Sequence, residues 1–479
     1  MSQRTTLAGC LLEQAIRSPE RCAVASSAVS LSYGDLTRVV LAQAETLRQN
    51  GITEASVVGV ECEADIPHLV LCLALSYLGA TSCTIPSFDT KQEQQSLRRN
   101  LAATHVIDQS SAVDIAAALN QEEQDREHWI GGDAAAASLL FTTSGTTGKP
   151  KIVSHADSNL IAQAPRHIGD AQERFACLAT VEHNFSKRHR LYCVAQGATN
   201  VFLERGPRSV AAQCKSLDVT TLHLSVFQAQ ELLAQADLAQ MPPVRIKLGG
   251  SHVSAALRRR LRAQVSSEVQ CGYGTTETGA IAFSSPRDGD AEETVGRSLP
   301  GIEIRITGTD RSDQQMGTSG EVAIRCVGMF DGYRNQPELT AGCMHDGWFY
   351  TGDVGFIDAQ QRLRLSGRSD DMFVFNSMNI YPQEIEAMLC QSPAIVDAAV
   401  LPKPSPVHGD VPVALVVKDS TKDFDLRALR RFAREEAGIR CPRQFTVVDH
   451  IPRNAAGKIL RAEALALLND TQGSGALGN

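Results

Sequence analysis

The stretch FTTSGTTGKPK at residues 141–151 decides how the rest of the chain is interpreted. It combines glycines with hydroxyl side chains and two lysines, so backbone N–H groups, hydroxyls and positive charges can converge on an anion. We predict a phosphate-binding loop suited to the β- and γ-phosphates of ATP, especially where these leave as pyrophosphate. A surface turn between two strands is the alternative. The predicted phosphate contacts are Thr143, Ser144, Gly145, Thr146, Thr147, Gly148, Lys149 and Lys151.

This loop does not fit the two common nucleotide-binding motifs. In a Walker A motif, G-x-x-x-x-G-K-[ST], Thr143 would have to be glycine and Pro150 would have to carry a hydroxyl group. A second glycine-rich stretch, GYGTTET at 272–278, begins like a dinucleotide fingerprint but lacks its remaining glycine. The phosphate chemistry is therefore expected on a different fold.

Size and composition narrow the class of protein. A chain of 479 residues with 43% hydrophobic and 21% charged residues suits a globular protein of two or more domains. A net charge of -8 argues against nucleic acid as a partner. No apolar run approaches the ~18 residues of a transmembrane helix, so no membrane partner is expected. The 13 cysteines include no C-x-x-C pair, which predicts neither a zinc site nor a disulfide framework and favours a cytoplasmic location.

Strand-like and helical segments alternate along most of the chain. Residues 55–62 read as a buried strand and 65–80 as the following helix, and this alternation predicts an α/β fold with a parallel-rich sheet. Beyond residue 290 the strands become shorter and are broken by Gly and Asp, which predicts a small antiparallel or barrel-like subdomain. We place a domain boundary at 366/367, with an N-terminal core at 1–366 and a compact α+β domain at 367–479.

Further short motifs follow the opening loop in a fixed order. They are GYGTTETG (272–279), GRSLPG (296–301), GE (320–321), GY (332–333), YTGD (350–353), GRSDD (367–371), NIYPQEIE (379–386) and PRNAAGKILR (452–461). In these motifs the sequence strongly resembles the adenylate-forming superfamily of acyl- and aryl-CoA ligases, luciferases and adenylation domains of nonribosomal peptide synthetases. The resemblance implies that a carboxylic acid reacts with ATP to give an acyl-adenylate and pyrophosphate. A thiol, either CoA or the phosphopantetheine of a carrier protein, then displaces AMP.

The resemblance also implies roles in the adenylation step. Lys458 is the main catalytic residue and bridges the acyl carboxylate and the α-phosphate as a point charge. Glu277 holds Mg²⁺ against the phosphates, because hard cations take oxygen ligands. Thr275 and Thr276 offer hydroxyls to the α-phosphate or the substrate carboxylate. A solvated Glu277 and an exposed Lys458 without a catalytic role are the alternatives. A non-catalytic nucleotide-binding relative is the rival class, which the loss of Glu277, Asp353 or Lys458 would have favoured, and all three are present.

The nucleoside end of ATP has its own set of predicted contacts. Tyr273, with Gly274 beside it, offers a ring face on which adenine could stack. Gly250 permits close backbone approach to the purine, although a tight turn before a helix would look the same. Asp353 is expected on the ribose hydroxyls, and Arg368 resembles the second ribose contact of the family. A structural Asp that caps a turn is the alternative for Asp353.

The acyl group is predicted from HNFS at 183–186. Amino-acid-activating relatives place an Asp at the position of Asn184, where it pairs with the substrate ammonium, and a buried ammonium without that partner is penalised. We expect a non-amino acid, more often aromatic than aliphatic, bound by His183, Asn184 and Gly249. An aliphatic or hydroxy acid and a helix-capping Asn184 are the alternatives. The basic run at 187–190 could serve an acidic substrate or a carrier arm, or form a solvated positive face.

The resemblance further implies a mobile C-terminal domain. Asp370 matches the family's hinge, about which the small domain swings to deliver Lys458 for the first step and to remove it for the second. Relatives usually have glycine before the NIYP-like segment, where this chain has Asn376 and Ser377. Asn tolerates left-handed φ, but Ser377 adds bulk where the pantetheine arm would pass, so the thioester step is less well supported than adenylation.

Overall fold

A computed structural model provides the structure of the chain. It describes residues 6–120, 137–143, 151–206, 208–235, 237–285, 294–376, 378–405, 409–454 and 457–473. The predicted residues outside these ranges are Ser144, Gly145, Thr146, Thr147, Gly148, Lys149 and Ser377.

The helices of the described residues lie mainly in the first two thirds of the chain. They are α1 Leu7–Arg17, α2 Tyr33–Gln49, α3 Asp65–Tyr77, α4 Lys91–Leu101, α5 Ile115–Leu119, α6 Asp157–Gln163, α7 Asn184–Gln196, α8 Val210–Ser216, α9 Val226–Leu233, α10 Ala255–Gln264, α11 Pro337–Cys343, α12 Pro382–Leu389, α13 Leu426–Ala437 and α14 Arg461–Gly473. Local sequence explains several boundaries. Ser32 and Asp35 form a reciprocal capping box at the start of α2, and Gly197 ends α7 with a φ of 75°.

The strands of the described residues form four sheets. They are β1 Cys22–Ala25, β2 Ser30–Ser32, β3 Val57–Glu61, β4 Thr81–Thr84, β5 His105–Asp108, β6 Ser138–Thr143, β7 Lys151–Ala156, β8 Arg174–Cys177, β9 Thr199–Val201, β10 Thr221–Leu224, β11 Arg245–Leu248, β12 Val269–Thr275, β13 Gly279–Phe283, β14 Arg297–Ser298, β15 Ile302–Thr307, β16 Gly320–Cys326, β17 Gly332–Tyr333, β18 Met344–His345, β19 Trp348–Ile357, β20 Leu363–Arg368, β21 Phe373–Phe375, β22 Met378–Ile380, β23 Ile395–Ser405, β24 Gly409–Lys418 and β25 Gln444–Val447.

Two sheets that are rich in parallel pairs make up the N-terminal part. The larger has nine strands in the order β14-β13-β12-β11-β10-β8-β9-β1-β2, and β8 to β12 pair in parallel within it. The smaller has six strands in the order β17-β7-β6-β4-β3-β5, and its neighbouring strands from β6 through β4 and β3 to β5 pair in parallel. These sheets confirm the predicted α/β class, and β3 and α3 confirm the strand and helix expected at 55–62 and 65–80.

Helix α7 lies between these two sheets. Lys187 donates to Thr84 of the six-stranded sheet, whereas Arg190 donates to carbonyls of β8 and β9 in the nine-stranded sheet. Every residue from Ser186 to Ala195 is buried. The solvated positive face considered for residues 187–190 is therefore wrong, because the helix is enclosed on both sides and its cations are bonded to the interior.

The remainder of the chain forms two smaller sheets. An antiparallel sheet has the order β15-β16-β19-β18, with β20 paired to β19, and confirms the predicted subdomain of short strands. The last sheet has the order β22-β21-β24-β23, with β25 parallel to β24, and it packs with α12, α13 and α14. Strand β20 continues through Arg368, two residues beyond the boundary at 366/367, and the division into domains stays a prediction.

Within the described ranges, no helix combines the length and apolar character needed to cross a membrane. The 13 cysteines of the chain, all within the described ranges, are thiols outside any disulfide.

Candidate active site

One open cavity of about 870 Å³ brings together predicted residues from distant parts of the chain. Its walls come from β12, from the antiparallel sheet and from the C-terminal α+β part. The predicted residues that line it are Thr143, Lys151, Gly250, Tyr273, Gly274, Thr275, Thr276, Glu277, Asp353, Arg368, Asp370 and Lys458. The motifs therefore converge in space, as a single site requires.

Asp353 forms the centre of a buried polar group in this cavity. Its Oδ2 accepts a hydrogen bond of 2.5 Å from the Tyr273 hydroxyl, and its Oδ1 lies 3.2 Å from Nη1 of Arg368. Arg368 is held opposite Asp353 by the pairing of β19 with β20, and its Nη2 lies 3.5 Å from Asp370. Burial raises the pKa of Asp353 against the opposing effect of Arg368. The chain thus presents a paired-oxygen acceptor, suited to a vicinal diol, whose orientation is set by two neighbours.

Glu277 is a nearly buried carboxylate on the cavity wall. The Tyr333 hydroxyl donates to its Oε1 at 2.8 Å, and Nζ of Lys151 lies 5.3 Å from the centre of the Tyr333 ring. Among the described residues, no cluster of three or more His, Cys, Asp or Glu side chains could hold a metal ion by itself. Mg²⁺ is commonly bound by one or two carboxylates together with substrate phosphates. Glu277 beside the hydroxyls of Thr275 and Thr276 therefore fits a magnesium ion that arrives with ATP.

Two buried side chains hold the backbone of the threonine pair. The carbonyl oxygen of Thr276 accepts from Nη2 of Arg188 at 2.7 Å and from Nε2 of His155 at 2.8 Å. Burial, reinforced by the charge of Arg188, lowers the pKa of His155 to about 3, so His155 is a neutral donor. Arg188 also lies 4.5 Å from the ring centre of Phe141, at the start of the opening loop. It therefore connects α7 to both glycine-rich motifs.

Lys458 lies in a loop that is fastened to β23. Gly457 has a φ of 80°, which favours glycine, and the Lys458 amide donates to Oδ1 of Asn454 at 2.9 Å. Arg453 donates to the Gly457 carbonyl at 2.6 Å and pairs with Asp397 at 2.7 Å. These bonds support the backbone of a loop that presents Lys458 to the cavity shared with Glu277 and Asp353.

The predicted acyl-binding residues do not line this cavity. The ring of His183 stacks on Phe88 with centroids 4.8 Å apart. The Asn184 amide donates to the Thr142 carbonyl, at the start of the opening loop. Asn184 is the first residue of α7, and the cap position is occupied by His183, which makes no side-chain capping bond. A capping role for Asn184 is therefore wrong. Gly249 precedes the cavity residue Gly250.

Sequence reasoning missed three residues that shape the site. Tyr333 stands in the GY motif at 332–333, but the pattern does not reveal its bond to Glu277. His155 and Arg188 reach Thr276 only through the tertiary fold. A basic residue that follows the acyl motif was the available signal for Arg188, and the sequence offers no signal that singles out His155.

Comparisons with known proteins agree with this arrangement. The family model described as AMP-binding enzyme matches residues 11–334, and the model described as AMP-binding enzyme C-terminal domain matches 384–458. The chain is 27% identical over 471 residues to 2-succinylbenzoate–CoA ligase of Listeria monocytogenes serotype 4b (strain F2365), covering 94% of this chain and 97% of that one. It is 30% identical over 344 residues to indoleacetate–CoA ligase of Aromatoleum aromaticum (strain DSM 19018 / LMG 30748 / EbN1), covering 69% and 67%.

Among solved structures, one with a similar fold is the O-succinylbenzoate coenzyme A synthetase of Bacillus subtilis in complex with ATP and magnesium ion. Its TM-score with this chain is 0.81. Identity is 22%, and the match covers 95% of this chain and 99% of that one. At this identity the match supports the fold.

Proposed function

Because the chain belongs to the AMP-binding enzyme family, we propose that it activates a carboxylic acid with ATP and transfers the acyl group to a thiol. The convergence of Glu277, Asp353 and Lys458 on one cavity is the observation that carries this proposal. These residue types suit the problem of the first step, in which two anions must meet in line and have their charge neutralised.

In the first step a carboxylate oxygen attacks the α-phosphorus of ATP, the bond between the α- and β-phosphates breaks, and pyrophosphate leaves. Magnesium-bound ATP supplies the reactive anhydride and part of the charge neutralisation. Asp353, oriented by Tyr273 and Arg368, would hold the ribose. Lys458 would stabilise the charge that moves between the carboxylate and the phosphate, and Glu277 would hold the metal ion.

In the second step a thiol sulfur attacks the acyl carbon, the bond between that carbon and the phosphate oxygen breaks, AMP leaves, and the thiol proton passes to solvent. We propose CoA as the acceptor, since both relatives described above are named as CoA ligases. A carrier-protein phosphopantetheine would use the same chemistry. Asn376 has a φ of 48°, in the left-handed region that asparagine tolerates. Asp370 would act as the hinge between the two steps.

The acid is proposed to be aromatic and to lack an α-amine. No carboxylate occupies the Asn184 position to pair with an ammonium, and the names of both relatives specify acids with a ring. We also propose a cytoplasmic location, because thirteen cysteines outside any disulfide suit a reducing compartment.

Replacement of Lys458 tests the proposed function. ATP–pyrophosphate exchange measured over a panel of carboxylic acids should identify an activated acid, and Lys458→Ala should reduce that exchange by roughly 100-fold or more. Thioester formation from preformed acyl-adenylate should fall much less, because Lys458 would no longer face the reacting atoms. Equal losses in both half-reactions would contradict the assignment. Lys403→Ala, on the same C-terminal sheet but outside the cavity lining, is the matched control.

A further inference from the structure

The end of the Lys458 loop is attached to the C-terminal sheet through Arg461, the first residue of α14. Nη1 of Arg461 donates to Oε1 of Glu386 in α12 at 2.8 Å and to the Val400 carbonyl in β23 at 3.0 Å. The same Glu386 oxygen accepts from the Val400 amide at 2.9 Å. Arg461 therefore joins a helix to a strand at a point close to Lys458 in the chain.

A second carboxylate approaches Arg461 from the segment that leaves the ribose site. Oδ2 of Asp371 lies 3.6 Å from Nε of Arg461, and the exposed fractions of these two side chains are 20% and 22%. The side chain of Glu386 is 9% exposed. One guanidinium is therefore shared between two carboxylates that are largely withdrawn from water, and its removal would leave both without this compensating charge.

The N-terminal side of the same segment is held by the ribose site. Nη1 of Arg368 lies 3.2 Å from Oδ1 of Asp353, and the Ser369 hydroxyl donates to the Gly352 carbonyl at 3.0 Å. Asp371 follows shortly after and contacts the guanidinium described above. The stretch from Arg368 to Asp371 thus connects the proposed ribose carboxylate to the structure that carries the Lys458 loop.

The backbone between Arg461 and Lys458 is short and bonded on both sides. The Leu460 amide donates to the Pro452 carbonyl at 2.9 Å, and the Lys458 carbonyl accepts from the Asn454 amide at 2.9 Å. These bonds leave the loop little freedom to change direction independently of Arg461. A displacement of the guanidinium would therefore move Lys458 relative to the cavity.

The chemistry of arginine suits this position better than that of lysine. A guanidinium is a planar fork whose donors have fixed directions, so it can hold two carboxylates and a carbonyl in one arrangement, whereas an ammonium is a point charge on a flexible stem. Arg461, Asp371 and Glu386 border the same cavity as Lys458. Their charged groups are directed at one another, which distinguishes them from Lys458.

We propose that Arg461 is a positioning residue for the adenylation step. Its contacts with Asp371 and Glu386 set where Lys458 lies relative to ATP. Asp371 connects this placement to the ribose site, and Glu386 connects it to the C-terminal sheet. The proposal rests on the proposed function, because Lys458 acts in the reaction assigned there.

Two single variants test the placement of Lys458. Arg461→Lys keeps the positive charge but loses the fork, and Asp371→Asn keeps the shape but loses the charge. Each should lower the kcat of ATP–pyrophosphate exchange by about tenfold or more, because a displacement of about 1 Å at a reacting group is costly. The KM for ATP should stay within about threefold of its original value, since Asp353 is unaltered. Thioester formation from preformed acyl-adenylate should also stay within about threefold.

A double variant shows whether the two residues act as a pair. Arg461→Lys combined with Asp371→Asn should lower kcat by no more than about threefold beyond the more severe single variant, because the second change removes a contact already lost. Arg440→Lys is the matched control, since Arg440 pairs with Glu384 of the same helix α12 at 2.9 Å on a more exposed surface. It should leave kcat within about twofold.

Three results would overturn the inference. Equal losses in both half-reactions would show a merely structural role, a raised KM for ATP with unchanged kcat would indicate nucleotide binding, and losses that multiply in the double variant would show independent residues. If Arg461→Lys does not fold, Asp371→Asn decides by the same comparison of kcat and KM. Exchange that falls in Lys458→Ala but not in Arg461→Lys would overturn the inference and leave the proposed function standing. Exchange with no acid at all would overturn both.

Discussion

Tyr333 and Glu277 are 56 positions apart in the chain, yet one hydrogen bond of 2.8 Å joins them at the cavity. Burial and the neighbouring Glu277 carboxylate both raise the pKa of Tyr333, so its hydroxyl stays a donor throughout the physiological range. A donor that fixes one oxygen of a carboxylate sets the direction in which the other can bind a cation. At the scale of single residues, Tyr333 therefore acts through Glu277.

Tyr333→Phe tests this arrangement. Glu277 is the proposed magnesium-binding carboxylate, so loss of the bond that orients it should weaken the apparent affinity for Mg²⁺ by about tenfold, with a smaller change in the affinity for ATP. Exchange rates titrated with Mg²⁺, together with calorimetric Mg²⁺ binding to the ATP complex, provide the measurement. Tyr350→Phe is the control, because Tyr350 lines the same cavity and its ring contacts Arg311 and His345. Identical Mg²⁺ dependence in Tyr333→Phe and the unmodified protein would contradict the role of Tyr333.

Helix α7 shows, at the scale of one element, why two buried cations contribute differently to the stability of the fold. Lys187 makes one hydrogen bond, of 2.7 Å to the Thr84 hydroxyl, and lies 4.8 Å from the ring centre of Phe141. Arg190 donates to three main-chain carbonyls of the nine-stranded sheet and lies 4.2 Å from the ring centre of Phe202. Burial lowers the pKa of Lys187, which shows that its charged form is disfavoured at this position. Arg190 instead donates hydrogen bonds to buried main-chain carbonyls of the nine-stranded sheet, so its charge is compensated by these acceptors.

Substituting these two residues by methionine should have opposite results. Lys187→Met removes a poorly compensated charge at similar volume, so the free energy of unfolding should stay level or rise by about 1 kcal/mol. Arg190→Met removes the side-chain donors of three buried carbonyls and should cost roughly 2–4 kcal/mol. Urea denaturation of both variants at pH 7 measures the difference. A larger loss of unfolding free energy for Lys187→Met than for Arg190→Met would show that a group other than Thr84 and Phe141 stabilises the Lys187 charge.

Five buried histidines make the stability of the whole molecule sensitive to pH. Burial lowers the pKa of each of them in the folded state, to about 3 for His68, His155 and His189. The unfolded chain takes up these protons near pH 6.5. The five residues are His68, His155, His167, His189 and His223.

The stability of the folded protein should therefore fall as the pH is lowered from 7 to 6. A histidine whose pKa is lower in the folded state than in the unfolded state favours folding. This contribution is complete above the unfolded pKa and is lost as the pH falls toward the folded pKa. Each histidine should lose roughly 0.7 kcal/mol over this interval. Asp157 opposes the trend, because burial raises its pKa to about 6 and the folded state then binds the extra proton. The net fall in the free energy of unfolding should be roughly 3 kcal/mol.

Urea denaturation at pH 7 and pH 6 checks this prediction. His68→Phe should reduce the fall by roughly 0.7 kcal/mol, since it removes one of the buried histidines. Equal unfolding free energies at the two pH values in the unmodified protein would contradict neutral, buried histidines.

Local sequence patterns were sufficient to predict the fold class, the family and most of the residues that line the cavity. The alternation of strands and helices predicted the parallel-rich sheets, and YTGD and GKILR placed Asp353 and Lys458 in the site. These features are local: turn glycines and the residues beside them impose much the same backbone wherever they occur, as the φ of 80° at Gly457 shows. A short motif therefore carries its own geometry into the folded chain.

The folded chain was needed to show which partners bind the charges of α7, which residues hold Thr276, and how His167, His189 and His223 meet. The run KRHR at 187–190 has the composition of a solvated face. In the interior, however, its side chains contact main-chain carbonyls, aromatic rings and the Thr84 hydroxyl. Whether a charged side chain is buried depends on partners that are remote in sequence. No pattern along the chain encodes those partners, because the free energy of the charge is set by the solvation it loses and the bonds it gains once both sheets are in place.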